Sequence, residues 1–374
     1  MTTVLFAGGG SAGHVNPLLA TAHTYLQRHP DDEVICLGVA SGLETQLVPA
    51  AGFELVTIPK VPLPRRPNWA AVQFPRKFAA AISQVRELIR TRNIDLVVGF
   101  GGYVSTPAYL AALREHIPVA IHEQNARPGY ANRLGARRAE LVALTFASTP
   151  LQAKRGRTVV TGLPLAGPIL DLACRRRAGD QAWARTQAAT ALGLNPTLTT
   201  IVITGGSLGA QSLNRTLVEL ADDFQAHNAQ VLHLTGQGKD AQVRAELERR
   251  GTYPHYHVRD YLPDMHLAYA AADMVVCRAG AGTVAELSAV GLPALYVPLP
   301  IGNGEQAKNA ADVIAAKGGK LLDDDQLTAA RVRHALTEWI TDAEIRETTA
   351  QRAASVGSVQ GARTLVDELE KIRP

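Results

Sequence analysis

The chain has 374 residues, 46% apolar and only 19% charged, with 32 Gly and 21 Pro, which excludes a disordered or fibrous protein and allows two globular cores. Its three cysteines, Cys36, Cys174 and Cys277, are far apart and form no CxxC pair, so a disulfide framework and a thiolate zinc site are not expected and a reducing compartment is. The net charge of +4 hides an asymmetry: residues 1–165 carry +7 and the remainder −3, and residues 60–92 alone carry +7.

In chain order, a short apolar strand at Val4–Ala7 runs into GGGSAGH, followed by a helix from about Pro17 to Arg28. A strand at Val34–Leu37 follows, then the basic stretch KVPLPRRPNWAAVQFPRKF, from Lys60 to Phe78. From Phe78 onward, Phe78, Ile82, Val85 and Ile89 recur at helical spacing and read as core. Strands at Leu96–Val98, Val119–Ile121 and Leu141–Ala143 come next; the first runs into GFGGYVS and the second into His122-Glu123-Gln124-Asn125. A joint at Gly162–Leu170 leads into an Arg- and Ala-rich helical stretch over 174–199. The pattern then begins again, with a strand at Thr200–Ile203 running into TGGSLGAQSLN and strands at Val231–Leu234 and Met274–Cys277. A Gly-Ala-Gly turn opens a helix near Gly282, and the strand Ala294–Val297 leads to a polar loop with Glu305, Gln306 and Asn309. Asp323-Asp324-Asp325 follows a strand and precedes a helix, so it reads as helix capping and not as a metal site.

Strands alternating with helices mark parallel sheets with crossover helices. The fold class is therefore α/β, with two Rossmann-like parallel-sheet domains whose glycine loops would face across a cleft. The expected divisions are residues 1–165, 166–356 and a helix at about 357–374 that packs on either half. No stretch approaches ~18 uninterrupted apolar residues, so no transmembrane helix is expected. The start MTTVLFAGGG lacks a basic leader, which points to the cytosolic side.

Gly8, Gly10 and Gly13 match GxGxxG, yet a dinucleotide site also wants an acid at the end of the second strand, and none occurs before Glu44. The loop is thus an expected seat for a pyrophosphate, not for NAD. His14 closes it and suits a general base, since an imidazole titrates near neutrality. Asn125 is the expected ligand contact of its tetrad, the other three bracing the loop. From Cys277 to Ala310 the sequence suggests a nucleotide-sugar site: a helix N-terminus for phosphate, Glu286 for ribose, Gln306 for a sugar. The alternative is that these glycines merely permit close packing. Leu63, Trp69, Val72 and Phe74 lie among Arg65, Arg66, Arg76 and Lys77, ahead of the Phe78 helix, as apolar wedges ringed by cations. That suits an anionic membrane surface; no nucleic-acid recognition fold accompanies the patch.

Taken in order, GGGSAGHVNP, GFGGYVSTP, IHEQNARPGYANR, TGGSLGAQSLN and CRAGAGTVAELSAVGLPALYVP closely resemble the MurG family, glycosyltransferase family 28, from Val4 to about Ala310. The resemblance implies the two-domain GT-B fold, with the C-terminal helix returning to the first domain. It also implies metal-independent, inverting transfer of N-acetylglucosamine from UDP-GlcNAc to the 4-hydroxyl of lipid-linked muramyl-pentapeptide, without a cofactor. By the same resemblance Ser11, Ala12, Gly13 and Asn125 contact the donor sugar region. Ser207 and Leu262 serve the nucleotide. Ala281, Gly282, Thr283, Val284, Ala285 and Glu286 hold phosphates and ribose, and Gln306 contacts the sugar. Gly8, Gly10, Gly101 and Gly102 would cradle the acceptor pyrophosphate, and His14 is the base candidate. The implied location is the cytoplasmic face of the cell membrane, peripherally bound, with a cell-wall synthesis complex as a partner. Two departures stand out: Ala166 occupies the place of a family arginine, and the loop before Gln306 reads GNGEQ. The rival readings are another GT-B enzyme, such as a UDP-GlcNAc 2-epimerase or a natural-product glycosyltransferase, and a non-catalytic UDP-GlcNAc sensor.

Overall fold

The structure, a computed structural model, describes residues 1–61, 69–206, 209–300 and 304–373, with the side chains of 69–71 outside the description. Leu63, Arg65, Arg66 and Ser207 lie outside the described residues, as does the Trp69 side chain. The chain divides into two compact units: Met1–Ala166 with the segment from Gln360 onward, and Gly167–Val359.

Among the described residues the first unit holds seven strands: β1 (Thr3–Ala7), β2 (Glu33–Val39), β3 (Glu54–Ile58), β4 (Ile94–Gly99), β5 (Val119–Glu123), β6 (Leu141–Leu144) and β7 (Arg157–Val160). They form one parallel sheet in the order β3-β2-β1-β4-β5-β6-β7. The second unit holds β8 (Thr199–Thr204), β9 (Ala229–Leu234), β10 (Tyr256–Arg259), β11 (Met274–Cys277), β12 (Ala294–Tyr296) and β13 (Gly319–Leu321). Their order, β10-β9-β8-β11-β12-β13, repeats the doubly wound pattern. In each sheet the order reverses beside the first strand, between β1 and β4 and between β8 and β11. Crevices at the carboxyl ends of strands flanking such a reversal are where ligands bind in open α/β sheets. The four glycine-bearing loops named above follow these four strands.

Side chains alternate across a strand, so helices on both faces force both sets to be apolar. In β1, Leu5 and Ala7 enter one core with Ile35, Val97, Ile121 and Val85. Val4 and Phe6 enter the other, with Leu18, Tyr25 and Val98. That second core is completed by Leu365, Val366 and Leu369 of the helix Gly361–Glu370, all fully buried. In the second unit Ile201, Ile203, Met274 and Val276 pack with Trp339, which is 1% exposed.

Two helices start earlier than the sequence suggests. One runs Ala12–Arg28 with Pro17 inside it, so His14 is already in its first turn. The other runs Trp69–Thr91 through Pro75, so Trp69, Phe74, Arg76 and Lys77 belong to a helix and not to a preceding loop. A proline deletes one backbone hydrogen bond, and packing of the long apolar face outweighs that local loss.

The closing helix is thus part of the first unit's core though it follows the second unit in sequence. Leu365→Ala should destabilise the first unit by about 2–5 kcal/mol through lost burial and a residual cavity. Urea unfolding followed with probes in each unit should show the first transition shifted and the second unchanged.

Candidate active site

In the first unit, the loop after β1 and the loop after β4 pack backbone to backbone. Gly102 has φ +79°, and a Cβ there would stand 2.5 Å from the Gly9 carbonyl oxygen. Phe100 N–H bonds Ala7 O at 2.7 Å, and the buried Ser105 hydroxyl donates to Ala7 O and Gly101 O at 3.0 and 2.8 Å.

Under the first loop lies Glu44, with no exposed surface. Its carboxylate accepts the Gly10 N–H at 3.0 Å and the Val39 N–H at 2.9 Å. Cβ atoms on Gly9, Gly38 and Gly42 would fall 2.3, 2.5 and 2.0 Å from Glu44 side-chain atoms, so these glycines make room for the acid. The Gly8 N–H is also engaged, with Leu37 O at 3.3 Å. The Gly8 and Gly10 amides, expected to cradle a pyrophosphate, are therefore spent inside the protein. The acid whose absence argued against NAD is present in space, but it holds the loop from below.

His14 is half-buried, with Nδ1 3.0 Å from the exposed Ser11 hydroxyl. Burial lowers its pKa; a hydrogen bond to the Gly9 backbone and the Glu44 charge oppose that shift. The balance leaves a neutral imidazole at pH 7, the form a base requires. Ala12 is half-buried and Gly13 exposed beside it.

After β5 the tetrad is a brace. His122, Glu123 and Gln124 are buried. His122 Nε2 donates to Gly162 O at 3.1 Å, its Nδ1 meets Gln124 Nε2 at 3.1 Å, and burial lowers its pKa to about 4. Glu123 accepts the Asn125 and Gly129 amides, each at 3.0 Å, and Asn132 Nδ2 at 2.9 Å. Asn125 is half-buried on the loop so fixed.

In the second unit, Gly280 caps the helix Ala281–Val290, which has no side-chain cap and no acid in its first turn. A Cβ on Gly280 would come no closer than 4.0 Å to any atom, and one on Gly282 would meet nothing within 4 Å. Packing does not demand these glycines; they leave the helix N-terminus bare, which is what an anion needs. Thr283 and Ala285 are half-buried along the same turns, and Val284 is buried. Glu286 is half-buried, accepts Tyr269 OH at 3.0 Å, and has its pKa raised to about 7 by burial.

The turn is held from three sides. Asn309 Nδ2 donates to Ala279 O at 3.2 Å. Arg278 donates from Nη1 to Val297 O, Pro298 O and Asp324 Oδ1 at 3.2, 3.1 and 2.6 Å, and from Nη2 to Ser212 Oγ at 2.9 Å. Ser212 Oγ in turn donates to Asp324 at 2.7 Å. Asp324 is thus the partner of a half-buried arginine, and the helix that follows is capped by Thr328, not by the three aspartates as the sequence suggested. Gln306, half-buried, lends its Oε1 to the Leu299 N–H at 2.9 Å, leaving its NH₂ for other partners. Leu262 is buried on the loop after β10.

The arginines after Ala166 do not replace the family's arginine. Arg176 donates to Val290 O and Gly291 O at 2.9 and 3.3 Å, at the carboxyl end of the helix whose other end is bare. Arg177 bonds Gly357 O at 2.9 Å, and Arg175 lies over the Trp183 ring at 5.3 Å. Asn132, Tyr269 and Arg278 were not picked out by sequence reasoning; Glu44 was noted only as too late for a dinucleotide site, and Asp324 was read as a cap. Arg278, a charge between a buried strand and a glycine turn, is the one with a local signal.

Residues 4–144 match the glycosyltransferase family 28 N-terminal domain, and residues 200–368 match the C-terminal domain of the same family. A Clavibacter michiganensis protein named UDP-N-acetylglucosamine–N-acetylmuramyl-(pentapeptide) pyrophosphoryl-undecaprenol N-acetylglucosamine transferase is 48% identical over 98% of this chain and 95% of its own length. A Bifidobacterium adolescentis protein of the same name is 49% identical over 91% of this chain and 89% of its own. Among solved structures, MurG of Acinetobacter baumannii superposes with a TM-score of 0.78 at 27% identity, covering 99% of this chain and 100% of that one. A UDP-GlcNAc 2-epimerase of Neisseria meningitidis reaches 0.71 at 15% identity, covering 99% of this chain and 100% of its own, a likeness of fold alone.

Replacing Asp324 with Ala would leave the half-buried Arg278 guanidinium without its counter-charge. Breaking a fully buried pair costs about 3–5 kcal/mol, and this partly exposed one less. The second unit's unfolding midpoint should fall accordingly, and UDP titration of the folded variant should show weakened binding.

Proposed function

The chain belongs to glycosyltransferase family 28, and we propose that it transfers N-acetylglucosamine from UDP-GlcNAc to undecaprenyl-pyrophosphoryl-N-acetylmuramyl-pentapeptide. The product is the lipid-linked disaccharide unit of peptidoglycan. The observation that carries the reading is the bare N-terminus at Gly280–Gly282, followed one turn later by Glu286.

The donor diphosphate sits on the free amides of Ala281–Thr283, where the helix dipole favours negative charge. Glu286 takes the ribose hydroxyls, and Gln306 uses its NH₂ on the sugar. For Asn125, Ser11, Ala12 and Gly13 of the first unit, the family resemblance implies contacts with the donor sugar. Reaction is a single displacement with inversion: the acceptor 4-hydroxyl attacks the anomeric carbon, and UDP leaves onto preorganised donors that stabilise its growing charge. His14 takes the acceptor's proton. Gly101–Gly102 is assigned to the acceptor pyrophosphate, because the Gly8 and Gly10 amides are already paired.

The acceptor is membrane-linked, and the helix Trp69–Thr91 offers the docking surface. Val72 is 68% exposed, Arg76 and Lys77 are exposed, and Phe74 stacks on Phe78 at 5.3 Å. Among the described residues no helix is long and apolar enough to cross a membrane. Peripheral attachment to anionic lipid on the cytoplasmic side follows from this reading. Full-length likeness to transferases near half identity favours transfer over epimerisation, which has only fold-level likeness in its support.

The deciding experiment incubates the protein with labelled UDP-GlcNAc, with and without the lipid-linked acceptor in detergent. Acceptor-dependent disaccharide formation supports transfer. Loss of UDP-GlcNAc without acceptor means an epimerase, and binding without turnover means a sensor.

Two further outcomes are expected. Glu286 binds ribose as a carboxylate, and its pKa of about 7 in the free protein means that protons compete with the donor below neutrality. Donor affinity should therefore fall as pH drops from about 8 to about 6, roughly tenfold per unit well below that pKa. Isothermal titration of wild type should show this slope, and Glu286→Gln should bind weakly at every pH and lack it. Reversing the charge of Arg65, Arg66, Arg76 and Lys77 together should abolish sedimentation with anionic vesicles while leaving UDP binding intact.

A further inference from the structure

A serine at a helix N-cap ordinarily turns its hydroxyl onto the amide of the second or third helical residue, a bond whose loss costs about 1 kcal/mol. Ser11 makes no such bond. The third amide, that of His14, bonds the Ser11 carbonyl at 3.1 Å instead, and the hydroxyl lies 3.0 Å from His14 Nδ1. The capping bond is forgone in favour of the imidazole.

The direction of that bond follows from the other ring nitrogen. The Gly9 backbone opposes the lowering of the ring's basicity by burial, as a carbonyl near a ring N–H does. A Cβ on Gly101 would stand 3.2 Å from both Nε2 and Cδ2, which puts the Nε2 edge against the paired loops. The relay requires the tautomer with its hydrogen on Nε2, so that Nδ1, 3.0 Å from the Ser11 hydroxyl, presents its lone pair to it. Ser11 is exposed and His14 only half-buried beneath it, so the basic nitrogen meets the outside through that hydroxyl.

We infer that Ser11 is a catalytic proton relay between the acceptor hydroxyl and His14. This rests on the transfer reading above. As the acceptor oxygen forms its bond to the anomeric carbon, its proton passes to Ser11 Oγ, and the Ser11 proton passes to Nδ1. The bond from the anomeric carbon to the UDP oxygen breaks with its electron pair staying on UDP. Serine ends unchanged, and His14 ends as an imidazolium, stabilised by the Gly9 carbonyl and the Glu44 charge until it releases the proton to solvent.

The first test needs no turnover. In ¹⁵N NMR of the whole protein with labelled histidine, assigned by loss of a signal in His14→Ala, His14 should be the Nε2–H tautomer. The Nδ1–H tautomer would overturn the relay whatever the substrate proves to be. The second test is single-turnover transfer in H₂O/D₂O mixtures. A relay moves two protons, so the wild-type proton inventory should bow; a straight line overturns it. At saturating donor, Ser11→Ala should lower the single-turnover rate on the order of 10²-fold, and Ser11→Thr should restore most of it. Ser11→Ala near the wild-type rate, or Ser11→Thr as slow as Ser11→Ala, also overturns the relay. Wild type that shows the Nε2–H tautomer yet transfers nothing overturns the transfer reading instead.

Discussion

A carboxylate without exposed surface must be supplied with hydrogen bonds, because leaving even one buried partner unpaired costs about 1–3 kcal/mol. Glu44 meets that constraint by taking the Gly10 and Val39 amides, and the first unit's site is arranged around the solution. Two stretches of chain 34 residues apart are tied together at Gly10. Gly9, Gly38 and Gly42 stay small because the acid fills the space that their side chains would need. With the loop fixed, the helix it opens is fixed, and so is the ring of His14. The same charge opposes the loss of basicity that burial imposes on that ring. A negative charge beneath the loop also gives the loop a different character from a dinucleotide-binding one, whose amides face a pyrophosphate.

In the second unit the helix Ala281–Val290 instead starts with no side-chain cap and no acid in its first turn. A helix N-terminus is a good anion site only if nothing of the protein's own fills it and nothing lets it move. Arg278 locks the turn by bonding two carbonyls, Asp324 and Ser212, so its charge is spent within the wall of the site. Arg176 sits at the far end of the same helix, where a cation complements the dipole. Among the described residues both guanidinium groups bond elsewhere, so the proposed anion site rests on backbone amides. A shielded pair such as Arg278–Asp324 is a weak source of net stability, so its value here lies in fixing one geometry.

Much of this was legible in sequence and some of it could not be. Central strands such as β1, β4, β8 and β11 are apolar on both faces, so they stand out as short runs of Val, Ile and Leu. The strands that the alternation did not reveal, β3, β7 and β10, are all sheet edges, half wetted and mixed in composition. The loops were found because glycine spacing is local. Their supports were not, because Glu44 reaches Gly10 across 34 positions and Asp324 reaches Arg278 across 46. Nothing within a window of sequence distinguishes such an acid from one that caps a helix. Pro75 misled for the converse reason, since a local breaker was overruled by tertiary packing of a long amphipathic helix.

Glycine itself carries two meanings in this chain, and only the surroundings separate them. At Gly9, Gly38, Gly42 and Gly102 a Cβ would strike an atom of the protein, so the residue is explained by packing before any ligand is considered. At Gly280 and Gly282 a Cβ would enter open space, and both residues have negative φ, so neither packing nor backbone conformation accounts for them. Gly282 is costly: within a helix a glycine loses about 0.5–1 kcal/mol against alanine, whereas Gly280 stands at the N-cap, where glycine is tolerated. What a bare, fixed helix terminus gains in return is access for a group that must come close to the backbone, and a diphosphate is such a group. The glycines of the loop after β1 thus make room for Glu44, whereas those at Gly280 and Gly282 border open space.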